Sequence, residues 1–173
     1  MPRELPVPPA SAPILFGAPA PPGDLLPWGW AVDRLVEART YWVATTRADL
    51  RPHCRPVWGV WLTDGFWFST GSVARDNLPD RPAISVHVDD EAQVVVVEGA
   101  GARCLDRADL LRMCEAYGRK YDHQMTPNDR GEVHDADGNG GPVFTVRPHV
   151  VFGWGRELAT PTRWRFSEPG CAP

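Results

Sequence analysis

Alternation of apolar and polar positions along the middle of the chain predicts a series of short β-strands. Residues 41–46 are rich in aromatic and β-branched types, which suit a pleated, half-buried surface. Residues 53–62 have largely apolar side chains on both alternating faces, so we expect this strand to be covered on both sides. Asp64-Gly65 follows at once, and this pair readily takes the positive φ angles of a type I′ turn. The pattern therefore predicts a tight antiparallel hairpin that continues into residues 66–68.

The same alternation predicts strands in the second half of the chain. They cover residues 83–89, 93–104, 143–147, 150–154 and 164–166. Gly99 and Gly101 interrupt the longest of these, which indicates a bulge or bend of the kind that closes a barrel.

Three segments show helical patterns. The first runs over residues 26–39 and begins at Leu26-Pro27, because proline is tolerated at the first helical position. A short second helix follows Ser72. The third begins after Asp106, which resembles a capping box with Asp109, and it carries an apolar stripe of Leu110, Cys114, Tyr117 and Tyr121. Such a stripe usually packs into the core, and the alternative is that Tyr117 and Tyr121 line a substrate pocket.

The length of 173 residues suits one domain, which we place at residues 24–167. Residues 1–23 contain eight of the nineteen prolines, scattered among alanines, and are expected to form a mobile tail. Residues 122–141 are polar and glycine-rich, which predicts a flexible loop, and residues 168–173 are expected to be frayed.

Charge and cysteine content narrow the classes of function. A net charge of −4 provides no electrostatic footprint for nucleic acid. No apolar run approaches the length needed to cross a bilayer, so we expect no membrane association. Without CxxC spacing or a secretory signal, the cysteines are expected to be reduced thiols in the cytoplasm. They are Cys54, Cys104, Cys114 and Cys171.

Motifs for metal binding and for common catalytic reactions are missing from the sequence. The five histidines lie in separate predicted elements and never form an HxxxH or HExxH pair. Asp135-x-Asp137-x-Asn139-Gly140 mimics the start of a calcium loop, but Val146 stands where a bidentate glutamate is required. We therefore predict no metal. No G-x-S-x-G elbow, Walker loop or Rossmann turn supports a hydrolase, kinase or dinucleotide-binding function.

One turn has the chemistry of an anion site. Ser69-Thr70-Gly71-Ser72 places hydroxyls and backbone N–H groups just before the predicted short helix. Unpaired first-turn N–H groups and the helix dipole favour an anion such as phosphate. The alternative is that Ser72 simply caps the helix.

Six segments together resemble a known family. They are YWVATTR, RPHCRPVWGVWL, FWFSTGS, SVHVDD, VVVVEG and RWRF, spread over residues 26–166. In order and spacing they resemble the actinobacterial branch of the pyridoxamine 5′-phosphate oxidase-like split-barrel family, which includes oxidoreductases that use FMN or coenzyme F420. The resemblance implies a mainly β fold, an antiparallel split β-barrel of about six or seven strands with two or three peripheral helices. It also implies a homodimer with its cofactor sites at the subunit interface.

The resemblance assigns the cofactor site to two segments. It implies that the backbone of Arg55, Pro56, Val57 and Trp58 lines the flavin or deazaflavin ring. Around the phosphate it places Phe68, Ser69, Thr70, Ser72, Arg75 and Asn77. Relatives often have the run S-R-K-A-R-N-L here, and this chain has Ala74 and Asp76 in place of the lysine and the second arginine. Arg75 could substitute, since its fork binds phosphate bidentately, whereas Asp76 would repel an anion.

The first hairpin loop, residues 47–51, also departs from the family, where Asp-Gly is usual. Leucine takes a left-handed conformation at a cost that glycine avoids, so the sequence predicts another type of turn around Leu50.

These observations favour an oxidoreductase that transfers hydride between F420, or FMN as second choice, and a small conjugated substrate. Hydride chemistry resides in the cofactor, so the lack of an evident catalytic dyad is expected and no catalytic residue is assigned. Two alternatives remain. One is a non-catalytic protein that binds flavin, haem or another planar ligand; the other is a structural dimer without a cofactor.

Overall fold

Antiparallel β structure dominates the computed structural model of the chain, which describes residues 4–19, 23–90 and 93–167. The strands are β1 (Ala10–Ser11), β2 (Ile14–Leu15), β3 (Ala18–Pro19), β4 (Tyr41–Thr46), β5 (Pro52–Val57), β6 (Gly59–Leu62), β7 (Gly65–Ser69), β8 (Ala83–Asp89), β9 (Val94–Arg103), β10 (Thr126–Pro127), β11 (Glu132–His134), β12 (Gly140–Trp154) and β13 (Thr162–Arg165). The helices are α1 (Trp28–Glu37), α2 (Ala74–Asn77) and α3 (Arg107–Tyr121). This mainly antiparallel β architecture with three helices confirms the predicted fold class.

Strand β12 joins the two parts of the sheet. The order β1-β13-β12-β9-β8-β4-β5 forms one path, and β12 also pairs with β7 and β11. Strand β6 then pairs with β7. Because one long strand is shared in this way, the sheet curls around a common core, and β5 is left at an edge of the path.

Two apolar clusters hold the fold together. The larger lies inside the barrel beneath α1 and contains the fully buried Tyr41, Phe66, Phe68 and Trp164. The smaller lies between α3 and strands β6, β7, β11 and β12 and includes Trp67, Met113, Tyr117, Tyr121 and Val133. Each fully buried side chain of this size contributes roughly 1.5–3 kcal/mol through burial. None of the helices in the described part of the chain is long and apolar enough to cross a membrane.

The helix predictions agree closely with the structure. The first helix starts at Trp28 rather than Leu26, with Pro27 at the N-cap position. The side chain of Asp106 accepts a hydrogen bond from the Asp109 N–H at 3.0 Å, so the predicted cap of α3 is confirmed.

The predicted strand over residues 53–62 is two strands. Strand β5 pairs with β4, whereas β6 pairs with β7, and the change of partner occurs at Trp58. Trp58 is 46% exposed while Trp61 lies in the core at 8% exposure. The first residue of β6 must be glycine, because a Cβ at position 59 would lie only 2.4 Å from the Phe66 ring.

The predicted hairpin after Leu62 is confirmed, but its turn type is wrong. Leu62 pairs with Gly65, so Thr63-Asp64 forms the two-residue turn, and neither of these residues has a positive φ angle. Gly65 has φ of 133° instead, and a Cβ there would lie 2.4 Å from the Val146 carbonyl oxygen. Glycine is required here for backbone approach rather than for a type I′ turn.

The two predicted strands over residues 143–154 are one strand with a bulge. The pairing of β12 with β9 shifts between Pro148 and Val150, directly opposite Gly99. A Cβ on Gly99 would lie 2.1 Å from the Arg147 carbonyl oxygen. The predicted irregularity at Gly99 is therefore confirmed, and the extra residue belongs to the partner strand.

Part of the predicted mobile tail pairs with the domain. Ala10–Ser11 forms an edge strand against β13, and the Leu5 N–H donates to the Thr63 carbonyl at 2.8 Å. Prolines confine this pairing to two residues because they cannot donate to a ladder. The predicted frayed segment, residues 168–173, lies outside the described residues.

The predicted loop over residues 122–141 also contains β structure. Strand β11 pairs with β10 on one side and with the start of β12 on the other. The Asp135 carboxylate accepts from the N–H groups of Asp137 and Asn139 at 3.0 and 2.8 Å and lies 3.3 Å from His123 Nε2. Backbone donors thus occupy the carboxylate that a calcium ion would need. Nor do the described residues bring together three His, Cys, Asp or Glu side chains as a metal site.

The β4–β5 hairpin places a leucine in a left-handed conformation. The Leu50 N–H donates to the Arg47 carbonyl, and the Arg47 N–H donates to the Arg51 carbonyl, both at 2.9 Å. Leu50 has φ of 66° and is 76% exposed. The turn differs from type I′, as predicted, yet leucine still adopts the conformation that the sequence argued against.

Replacing Leu50 by glycine is expected to raise the free energy of unfolding by about 0.5–1 kcal/mol. The left-handed conformation costs a non-glycine residue about 1–2 kcal/mol, and the greater freedom of glycine in the unfolded chain offsets part of the gain. Urea denaturation measures the change. Ala48→Gly in the same loop is the control and should be destabilising; equal effects of the two substitutions would contradict the prediction.

Candidate functional site

The hydroxyl-rich turn before α2 is fixed by its own hydrogen bonds. Ser69 Oγ donates to the Gly141 carbonyl at 3.0 Å, and Thr70 Oγ1 lies 2.8 Å from Ser72 Oγ. Thr70 Oγ1 also accepts from the Ser72 N–H at 3.1 Å. A hydrogen bond between two hydroxyls uses one O–H hydrogen, so the second remains available to an acceptor.

Helix α2 is only four residues long, and its N-cap residue is Val73, without a side-chain cap. The Ala74 N–H lies 3.4 Å from Ser72 Oγ, at the outer limit of a hydrogen bond. Ser72 therefore does not occupy the cap position of the alternative interpretation. So short a helix has only a weak dipole to offer an anion.

The charges on α2 nearly cancel. Ala74 occupies the position where relatives have lysine, so this position carries no charge. The Ala74 side chain is fully buried. Arg75 and Asp76 are both exposed, and Arg75 Nε lies 3.7 Å from the Asp76 carboxylate. Exposed ion pairs at this distance interact weakly, so Arg75 can still reach a ligand. The nearby Asp76 carboxylate would, however, repel an anion bound there.

Asn77 connects this turn to the sheet. It is only 5% exposed, and its Nδ2 donates to Thr45 Oγ1 at 2.9 Å. Thr45 in turn pairs with His53 of the neighbouring strand β5. Phe68 is different: its side chain is fully buried and stacks on Phe66, so it belongs to the core and only its backbone is near the turn.

The four residues predicted to line the ring lie at an open edge of the sheet. Arg55 and Pro56 are exposed, Val57 is half-buried, and Trp58 follows at the break before β6. Strand β5 ends the main path of the sheet, so one side of its backbone has no strand partner among the described residues. Proline at positions 52 and 56 limits strand addition there. The backbone is accessible to a flat ligand.

A shallow cavity of about 460 Å³ lies near the other end of β5, where Pro52 contributes to it, and is otherwise lined by β4, β8, β9 and β12. Its polar lining residues include Thr45, Thr46, Ser85, Glu98 and His149. The sequence interpretation missed these residues. The one available signal was Thr45, a polar residue at an inward position of β4 after Tyr41 and Val43.

Tyr117 and Tyr121 do not form an open pocket. They are 8% and 6% exposed. The Tyr121 hydroxyl donates to the Gly59 carbonyl at 2.8 Å and accepts from the Gly59 N–H at 3.0 Å, so both of its roles are used. Burial raises the pKa of Tyr121. The pKa of Tyr117 is raised to about 12, mainly by burial and secondly by the neighbouring Tyr121. The geometry supports the interpretation that Tyr117 and Tyr121 belong to the core, and it does not support a substrate pocket lined by them.

Trp58 extends this aromatic group to the surface. Its ring stacks on Tyr121 with centroids 4.7 Å apart and an interplanar angle of 4°. The ring is therefore held as a rigid, partly exposed plate next to β5.

An apolar row crosses the outer face of the sheet. Cross-strand pairing aligns Pro56, Trp42, His87, Val96 and Phe152. Trp42 is 42% exposed, and its ring is parallel to that of His87 at 6.3 Å. Pro56 is also exposed, whereas His87, Val96 and Phe152 are half-buried, and a contiguous row of exposed apolar side chains is a candidate interaction site.

Solved structures with the same fold come from several bacteria. A conserved hypothetical protein of Mycobacterium tuberculosis aligns at a TM-score of 0.65 and 16% identity, covering 86% of this chain and 94% of that one. The FAD-binding protein of Mycobacterium smegmatis aligns at 0.52 and 20% identity, covering 82% and 98%. The haem storage protein HutZ of Vibrio cholerae aligns at 0.50 and 18% identity, covering 69% and 85%. At these identities the similarity shows the fold alone.

Sequence comparison identifies the family. None of the curated proteins matches the chain. The pyridoxamine 5′-phosphate oxidase family matches residues 31–154, which include all of β4 to β12, α2, α3 and most of α1. This match spans well over half of the 173 residues, and the chain therefore belongs to the pyridoxamine 5′-phosphate oxidase family.

Proposed function

We propose that this protein is an oxidoreductase that binds a flavin-type cofactor, F420 or FMN, and transfers hydride between it and a small conjugated substrate. Family membership and the shared fold with an FAD-binding protein support a flavin-type ligand. One observation carries the proposal: the hydrogen bond from Asn77 to Thr45 ties the segment that follows the hydroxyl turn to strand β4. Strand β4 pairs with the edge strand β5, which contains the residues proposed to line the ring. A phosphate and a ring bound by these two segments would belong to one ligand.

The residues at both ends fit such a ligand. At the phosphate end, the Thr70–Ser72 pair has a spare O–H hydrogen, and Arg75 is free to move toward an anion. At the ring end, the exposed backbone of Arg55 to Trp58 offers polar groups to the edge of a flat heterocycle. When bound, the cofactor supplies the hydride chemistry, and the protein binds, orients and shields it.

We also propose that the protein acts as a homodimer. A second copy placed over the apolar row of Trp42, His87, Val96 and Phe152 would bury these side chains and close the site from water. Exclusion of water matters because it strengthens the interactions that orient a charged cofactor.

A second candidate is a protein that binds flavin, haem or another planar ligand without turnover. The specific observation in its favour is the uncharged, buried Ala74 together with the exposed Asp76, which weaken the phosphate end. Reduction of the bound cofactor by candidate electron donors separates the two functions. Tight binding without any reduction or reoxidation would favour this second candidate.

Substituting both Ser72 and Arg75 by alanine is expected to weaken cofactor binding by at least about tenfold, because a hydroxyl donor and a guanidinium are lost. Titration with FMN and with F420, followed by tryptophan fluorescence, measures this change. Arg51→Ala is the matched control, since Arg51 is already paired with Asp49 at 2.7 Å. Retained affinity in the double variant would remove the hydroxyl turn from the site.

A further inference from the structure

Several positively charged side chains surround His53 at the end of the β4–β5 hairpin. Arg47 Nη2 lies 3.2 Å from His53 Nδ1. Arg55 lies two residues along β5, on the same face of the strand as His53. Arg81 Nε donates to the main-chain carbonyl of Arg47 at 3.1 Å, so a third guanidinium contacts the backbone of this hairpin.

Two of these cations, Arg47 and Arg55, form no direct ion pair with a carboxylate of the described residues, although Asp49 lies close enough to Arg47 for its pKa to be lowered by that charge, after its hydrogen bonds to Arg51. The neighbouring Arg51 pairs with Asp49 at 2.7 Å, and Arg81 reaches Asp80 at 4.0 Å. Within residues 4–19, 23–90 and 93–167, no carboxylate forms an ion pair with Arg47 or Arg55. Like charges held together in this way attract an anion.

The hydrogen bonds of His53 fix its tautomer. Arginine only donates, so His53 Nδ1 must be the acceptor in the contact with Arg47. Burial, with repulsion from Arg47 and Arg55, lowers the pKa of His53, so the ring is neutral near pH 7. Nε2 therefore carries the ring hydrogen.

This Nε2–H donor has no partner. Nε2 of His53 is buried and forms no hydrogen bond within the described residues. A buried donor without an acceptor costs free energy, and native structures usually satisfy it. The missing partner is an acceptor, and the nearby guanidinium groups of Arg47 and Arg55 favour a negatively charged one.

We propose that His53 Nε2, Arg47 and Arg55 form an oxyanion-binding site for a phosphate or carboxylate group. The site lies next to the predicted phosphate turn, since His53 pairs with Thr45, which is bonded to Asn77. Helix α2 lacks positive charge at the positions occupied by Ala74 and Asp76. The proposed site supplies positive charge from the β4–β5 hairpin instead. The oxyanion site rests on the hairpin geometry; only its assignment to the cofactor phosphate rests on the proposed function.

Inorganic phosphate is the first probe. Isothermal titration should show saturable binding that weakens about tenfold in Arg47→Gln and in Arg55→Gln, because each loses a charge-assisted hydrogen bond. Arg51→Gln, on the same hairpin, should change the affinity by less than about twofold. Absence of saturable binding, or equal losses in all three variants, would overturn the site.

Nitrogen NMR of the histidine side chains tests the site in the unaltered protein. Free protein should show His53 as the neutral Nε2–H tautomer, assigned by loss of its signals in His53→Gln. Phosphate should shift this Nε2–H resonance and leave His134 unchanged. A protonated ring, the opposite tautomer or an unperturbed resonance would contradict the proposal.

FMN and riboflavin identify the source of the oxyanion, because they differ only by the phosphate. If the cofactor supplies it, Arg47→Gln and Arg55→Gln weaken FMN binding about tenfold and leave riboflavin binding unchanged. Equal effects on both ligands, with phosphate binding still lost, would support the site and assign it to a substrate anion instead. Phosphate binding without binding of FMN or F420 would remove the proposed function and keep the oxyanion site.

Discussion

Replacing Tyr121 by phenylalanine should lower the free energy of unfolding by about 3 kcal/mol, because two buried backbone groups lose their partner. The Tyr121 hydroxyl bonds both the N–H and the C=O of Gly59, at 3.0 and 2.8 Å. Gly59 is the buried first residue of β6, opposite Phe68 of β7. Each unsatisfied buried group costs about 1–3 kcal/mol. Chemical denaturation measures the loss.

Tyr117→Phe on the same helix is the matched control. Tyr117 is buried to a similar extent, but its hydroxyl has no hydrogen-bond partner in the described residues. Its loss should change the stability by less than about 0.5 kcal/mol. A similar effect of the two substitutions would mean that water satisfies Gly59 when the tyrosine hydroxyl is absent. The fluorescence of Trp58, which stacks on Tyr121, reports whether the local geometry is retained.

Local patterns predicted most of the regular elements. Alternation identified β4, β8 and β9 almost to the residue, since their inward side chains are apolar apart from Thr45. The Asp106–Asp109 cap and the glycine opposite the β12 bulge were also predictable, because capping and close approach depend on only a few neighbouring atoms.

Changes of strand partner could not be predicted from alternation. Residues 53–62 are apolar on both faces, so the period continues through Trp58 although β5 and β6 pair with different strands. The same limit explains the short strands of the N-terminal segment. Ala10–Ser11 pairs with β13 over a sequence separation of about 150 residues, which local propensity cannot report.

The candidate site shows a similar division. Resemblance grouped Ser69 to Asn77 along the chain, but the contact that ties this turn to the sheet is the long-range bond from Asn77 to Thr45. His53 gave no signal in the sequence because a single histidine in a strand is most often structural. Its importance depends on one ring nitrogen that is buried without a partner, which only three-dimensional packing reveals.

Replacing Arg112 by methionine should destabilise the protein by about 3 kcal/mol, because it leaves a largely buried carboxylate unpaired. Arg112 binds Asp64 through both terminal nitrogens, at 2.7 and 3.3 Å, and Asp64 also accepts from Trp67 Nε1 at 2.9 Å. The side chains of Arg112 and Asp64 are only 29% and 14% exposed. The pair connects α3 to the turn between β6 and β7, and methionine keeps most of the packing on Trp67 while removing the charge.

Arg119→Met on the same helix tests whether burial causes the effect. Arg119 also pairs with a carboxylate, Glu115 at 3.0 Å, but both side chains are about 70% exposed. Its loss should cost less than about 0.5 kcal/mol. A double-mutant cycle with Asp64→Asn should recover about 2 kcal/mol of the Arg112→Met loss, since the carboxylate that lacks a partner is then neutral. If the two losses simply add, the destabilisation comes from packing of the Arg112 side chain on Trp67 rather than from the ion pair.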